Sequence, residues 1–248
     1  MNASLSLATG GHEVIHVLQR AAENAFFTVI HHPKAVRRFR EALELFAEGL
    51  AAYEDVRGDA KDDPRFIPYD RAVTFFAEAR RSLLCGAKLT FEHELTDAAK
   101  ALRGAIEASF AGCHVYADSG AWERWANRPV ASLCTDDRYG AAAARKTRLQ
   151  IGSEFGVRRL ANSLRPRSRD LAATGMNLYE ELNDAGGHFN VTALQFATVD
   201  PESTELKKAL SRVNRTAAAS LRMLELILGG VWPDAELSRR IRAFTRRR

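Results

Sequence analysis

The apolar residues of this chain recur every three and four positions almost from end to end, and that spacing leaves few folds open. Val36, Phe39, Leu43, Phe46, Leu50 and Tyr53 follow this rhythm, as do Leu206, Leu210, Val213, Ala217, Leu221, Leu224 and Leu228. A helix of about 3.6 residues per turn gathers such positions on one stripe; a half-buried strand would need alternation every second residue. Pro33 suits the first turn of the earlier helix, where its missing N–H costs nothing. Further helices are predicted over Tyr69–Phe91 and over Thr96–Ala117, the second with Leu102, Ile106, Phe110, Cys113 and Ala117 on one face. A short helix carries Trp122 and Trp125 and stops at Pro129; a long one runs from Asp137 to Leu164 with a break at Gly152 or Gly156. Pro166 starts the next, which runs to Asp184. The stretch GGHFNVTALQFATVD is the least helical, and Asp200-Pro201-Glu202 reads as the start of the helix over Leu206–Leu228, which Gly229-Gly230 stop. A last short helix follows Pro233.

The expected fold is all-α: a single helical-bundle domain of roughly seven or eight helices with short loops. It spans residues 1–235, with an arginine-rich tail over 236–248. Hydrophobic residues make up 46% and charged residues 27%, enough apolar surface for a sizeable core. No run of about 18 apolar residues is present, so no transmembrane segment is expected. The opening residues MNASLSLATGG lack the basic and apolar regions of a signal peptide. Three well-separated cysteines, Cys85, Cys113 and Cys134, read as reduced core-packing thiols of a cytoplasmic protein.

His12-Glu13-Val14-Ile15-His16 has the letters of a zinc-protease helix, two histidines one turn apart around a glutamate. At about 100° per residue, however, Val14, Leu18, Ala21, Ala25 and Val29 share one side, and His12 and His16 fall opposite with Gln19 and Glu23. A zinc hydrolase would need both histidines aimed into a cleft with a third ligand. A solvated helix start is the better reading, and neither metal nor other cofactor is expected. His31-His32-Pro33 stands where one helix hands over to the next, where a histidine meets the helix dipole favourably.

Two polar segments carry more chemistry. Arg103 and Glu107 lie one turn apart, with His114 on the same stripe at the edge of an apolar face. Tyr179 and Asn183 are likewise one turn apart, on a helix ending in Gly186-Gly187, and His188 follows. A histidine held at such a turn can act as a general acid or base, or simply cap the helix.

LRGAIEASFAGCHVYAD followed by LYEELNDAGGHFN resembles a broad group of bacterial all-helical proteins, similar in turn to HEPN-type domains of toxin–antitoxin and phage-defence systems. The resemblance covers Ala98 to Leu228 through loose motifs. It implies a metal-independent RNase built on an Arg, a polar residue after it, and a His. His188 matches the His and Asp184 the polar position, whereas Asn183 stands where the Arg belongs. That departure removes the cation expected at the scissile phosphate, unless Arg103 supplies it from another helix.

The ten residues RRIRAFTRRR hold six arginines and no acid, more than the whole net charge of +5. Arg239, Arg240, Arg242, Arg246, Arg247 and Arg248 suit phosphates, and Phe244 suits stacking on a base. The leading expectation is a non-catalytic module binding protein, RNA or another polyanion in a defence or toxin–antitoxin setting. The alternative is the RNase, with His188, Arg103, Glu107, Tyr179 and Asn183 as its site. The broad apolar faces over Val36–Tyr53 and Leu206–Leu228 could build either the core or the seam of a homo-oligomer.

Overall fold

The computed structural model describes residues 3–60, 66–118, 120–126, 152–186, 202–231 and 235–246. They form α1 (Ala3–His31), α2 (Pro33–Ala60), α3 (Ile67–Phe91), α4 (Leu95–Ala117), α5 (Ala121–Ala126), α6 (Val157–Leu164), α7 (Arg169–Gly186), α8 (Thr204–Val231) and α9 (Ala235–Arg246). No strand occurs among the described residues, and eight helices have seven residues or more. The fold is thus the expected all-α single domain. Among the described residues no helix is long and apolar enough to cross a membrane.

α4 is the central helix, with α3, α6, α7 and α8 packed around it. Its sequence explains the position. Ala98, Ala99, Ala105, Ala108, Ala111 and Gly112 are all buried, so neighbouring helices approach on several sides. Where large residues do occur on α4, small ones face them. A Cβ on Gly175 of α7 would stand 2.5 Å from Cζ of Phe110, so that glycine makes room for the ring. The stripes on α2 and α8 that could have formed an oligomer seam are spent inside the protomer: Phe39, Phe46, Tyr53, Val213, Leu221 and Leu224 all belong to the one main core.

Local signals shift several predicted boundaries. α8 begins at Thr204, where the Ser203 hydroxyl accepts the Leu206 amide at 3.2 Å; Asp200 and Pro201 lie outside the described residues. Gly229 does not stop that helix, which continues to Val231. α7 begins at Arg169 rather than Pro166, because the Ser168 hydroxyl accepts the Leu171 amide at 3.4 Å. The break near Gly156 is real: its backbone is extended and it precedes α6. Residues 187–201, including the GGHFNVTALQFATVD stretch apart from Gly186, and residues 127–151, including Cys134, lie outside the described residues.

The turn between α3 and α4 is closed by His93 at φ 68°, with the Glu94 amide donating to the Leu89 carbonyl at 2.8 Å, a helix-ending motif usually made by glycine. α1 ties to this turn with polar groups. Asn24 donates to the Glu92 carbonyl at 3.1 Å, and Thr28 Oγ1 lies 3.0 Å from His93 Nε2. This corrects the expectation for α1. Leu18 and Val29, which spacing puts on a buried side, are exposed at 64% and 46%. Cys85 is also exposed, against its expected core role, whereas Cys113 is buried and its thiol is pushed up to about 12 by desolvation.

Candidate functional site

The one-turn pairs singled out on α4 and α7 face each other. Arg103 Nη1 donates to Asn183 Oδ1 at 3.1 Å, and Arg103 Nε lies 3.6 Å from Glu107 Oε1. Tyr179 joins them: burial first, then the Glu107 charge and a hydrogen bond to that carboxylate, raise its hydroxyl pKa, against the opposing pull of Arg103. Close packing causes the meeting. A Cβ on Gly186 would lie 2.9 Å from the Thr96 carbonyl oxygen, so the end of α7 runs tightly against the start of α4. His188 lies outside the described residues. Four of the five proposed catalytic side chains are therefore neighbours, in a half-buried polar cluster.

His114, placed on the same stripe by spacing, belongs elsewhere. Its Nε2 lies 3.1 Å from Glu154 Oε1. Arg124 grips both nearby carboxylates: Nη2 donates at 2.6 Å to Glu154 and at 2.6 Å to Asp118. The hydrogen bond from Arg124 holds the Glu154 carboxyl below the usual range against the opposing effect of burial, with His114 assisting. At Asp118 burial pushes the pKa up, but hydrogen bonds from Arg124 and the Gly120 amide outweigh it and leave it lowered. His114, Asp118 and Glu154 have the composition of a metal site, and their ligand atoms lie within 4.8 Å of one another. The guanidinium already supplies the cation there, so the arrangement reads as an ion-pair network.

This network makes a prediction with a definite sign. Both carboxylates are depressed in the folded state, so their stabilisation is full above the unfolded pKa values of about 4 and fades as pH falls through the folded values. The difference in melting temperature between the wild type and Arg124→Met is expected to be largest near neutral pH and to shrink below about pH 4. A difference independent of pH would show that Arg124 acts only through packing.

In α1, His16 is exposed and the His12 side chain lies outside those described. His16 belongs to no group of metal-binding composition among the described residues. His31 instead stands 3.6 Å from Glu202.

α9 turns out to be amphipathic. Leu237, Ile241 and Phe244 are buried at 6%, 0% and 1%, so Phe244 is not available to stack on a base; the Arg38 guanidinium sits 5.5 Å from its ring centroid. The arginines project outward, and three are paired. Arg239 bonds Glu236, Arg240 Nη2 bonds Glu48 at 2.9 Å, and Arg242 Nε bonds Glu225 at 2.8 Å. Arg246 makes no ion pair among the described residues, and Arg247 and Arg248 lie outside them.

The walls of α2, α7, α8 and α9 enclose a cleft of about 1070 Å³. Among the described residues six cationic side chains line it, Lys34, Arg38, Arg215, Arg222, Arg242 and Arg246, against Asp170 alone among acids. Two carboxylates behind the wall are each shared by two guanidinium groups: Glu225 by Arg222 and Arg242, and Glu181 by Arg212 and Arg215. Each trio therefore keeps one excess positive charge. Lys34, like Arg246, makes no ion pair among the described residues.

The chain matches no family model, no curated protein and no solved structure. What it does thus has to be read from these side chains. Sequence reasoning found Arg242 and Arg246 of the cleft by the density of the arginine run. It missed Lys34, Arg38, Arg215 and Arg222, whose spacing along two other helices carries no motif.

Proposed function

We propose that this protein is a non-catalytic binding module for a polyanion, with RNA the first candidate, and that the cleft between α2, α7, α8 and α9 is where it binds. The observation that carries this reading is the excess of cations facing the cleft: six basic groups to one acid, with Lys34 and Arg246 free of ion pairs among the described residues. Opposed charges of this kind draw in phosphates and release counterions, so binding is salt-dependent. The test is fluorescence anisotropy with a labelled single-stranded RNA across a salt series. Affinity is expected to fall steeply with salt, and Lys34→Gln/Arg246→Gln to flatten the log–log slope by roughly 1.4, about 0.7 for each cation removed. A slope unchanged by the double substitution would remove the cleft from the binding surface.

A second reading, a metal-independent RNase of HEPN type, is supported by the contact of Arg103 with Asn183, which sets a guanidinium beside the position where the motif lacks its own arginine. It expects wild-type protein to cut mixed RNA in EDTA and both Arg103→Ala and His188→Ala to lose that activity with their helical content intact. Intact RNA after incubation with the wild type would end it.

A further inference from the structure

The walls of the cleft say more about the ligand than its sign of charge. We infer that the cleft is a discrete site for a compact oligophosphate, two or more adjacent phosphate groups read by charge without a base. The inference rests on the polyanion reading for the sign of the ligand and on three further features for its kind.

The first is the lining. Among the described residues no aromatic side chain contributes to the wall, which is made of basic, hydroxyl, amide and aliphatic side chains with Asp170 as the one acid. Nucleobases are held by stacking on aromatic rings or on guanidinium planes; no ring is offered here among the described residues, and four of the five arginines are already engaged, Arg215, Arg222 and Arg242 by carboxylates and Arg38 by the Phe244 ring. The second is the backbone. Lys34 and Ala35 come from the first turn of α2, and Ser168 and Asp170 from the start of α7, so the positive ends of two helices of 28 and 18 residues reach the same cleft. The third is Asn214, which is 8% exposed and lines the cleft. Its Nδ2 donates to the Ala35 carbonyl at 3.2 Å and the Leu210 carbonyl at 3.0 Å, fixing the start of α2 against α8. Its Oδ1 accepts no hydrogen bond and is itself enclosed, so Asn214 serves the cleft by fixing the junction of two of its walls and not by meeting the ligand.

Adjacent phosphates fit the arrangement of charge. The excess positive charge is distributed over two guanidinium trios and two separate cations on different helices, so several anionic groups can each meet a cation. A single carboxylate or phosphate would leave most of these cations facing one another.

The experiment is isothermal titration calorimetry of the full chain with sodium tripolyphosphate and, separately, with ATP, both free of divalent metal. Tripolyphosphate is expected to bind at one site, and ATP to bind within about threefold of it, since the wall offers its base no ring. Lys34→Gln/Arg246→Gln is expected to weaken tripolyphosphate by about tenfold or more. Arg158→Gln/Arg159→Gln, exposed on α6 and outside the cleft, should leave it within about twofold. Lys34→Gln alone, at an exposed position, repeats the test should the double variant be unstable. Absence of binding, indifference to the Lys34 and Arg246 substitutions, or ATP bound more than about tenfold tighter would each overturn the inference. Competition then separates the sources: displacement of tripolyphosphate by a 5′-triphosphate RNA but not a 5′-hydroxyl RNA identifies a chain terminus, and displacement by neither identifies a free small molecule. RNA that binds without tripolyphosphate binding sinks this inference and leaves the polyanion reading standing. Tripolyphosphate that binds where RNA does not leaves this inference standing and removes RNA as the ligand of the cleft.

Discussion

Phe110→Ala is expected to lower the unfolding free energy by about 3–5 kcal/mol, the range for truncating a fully buried aromatic ring. Phe110 is 0% exposed at the middle of the central helix, and its ring fills the space that Gly175 of α7 leaves open. The measurement is urea denaturation, with the midpoint falling and the slope unchanged. A second substitution sharpens the argument. Gly175→Ala in the wild type gains about 1 kcal/mol of helix propensity but drives a methyl into the ring, at an overpacking cost of about 1–3 kcal/mol. In the Phe110→Ala background the methyl enters a cavity, and the same change should become stabilising. A change of sign between the two backgrounds establishes that the pair, and not either residue alone, sets the spacing of α4 and α7. Additive effects would mean that Met223, whose Cε stands 2.9 Å from the same Cβ position, takes up the strain in both backgrounds.

Glu225→Gln is expected to act with opposite signs on stability and on anion binding. Glu225 is 6% exposed, and its carboxylate accepts from Arg222, Arg242 and Ser238. The neutral amide loses charge-assisted bonds from two guanidinium groups. Because those guanidiniums are 38% and 57% exposed and stay solvated, the cost is about 1–3 kcal/mol, not that of stranding buried charges. The same substitution releases their charge into the cleft, and tripolyphosphate should bind about three- to tenfold tighter. Thermal melts and calorimetry on the one variant check both halves. A weaker anion affinity would mean that Glu225 serves the cleft chiefly by holding α9 in place.

Much of the fold was legible because helix periodicity is a local property. The 3-4 stripes of α2 and α8 became the core, with Phe46, Val213 and Leu224 at 0% exposure. The failures have physical causes outside any local window. Leu18 and Val29 obey the same periodicity and are exposed, since α1 is anchored through Asn24 and Thr28 to the α3–α4 turn. Spacing says which residues share a face; it does not say which face has a partner. The pairs Arg103/Glu107 and Tyr179/Asn183 could each be read as one-turn neighbours, but the contact between Arg103 and Asn183 joins positions 80 apart. The arginine run of α9 shows its density in the sequence but not its pairing. Its acids lie at Glu225 and at Glu48, so the partners that neutralise Arg242 and Arg240 were invisible beside it.

The bond between Arg240 and Glu48 spans 192 positions, and α9 together with the start of α2 walls the cleft. Such a distant closure carries a large loop entropy, and the cleft has no existence until it is made. A ligand seated there binds only molecules in which α9 is docked, so it holds that closure shut by mass action. Amide exchange in α9, slow or fast, would then report occupancy of a pocket whose far wall belongs to the opposite half of the chain.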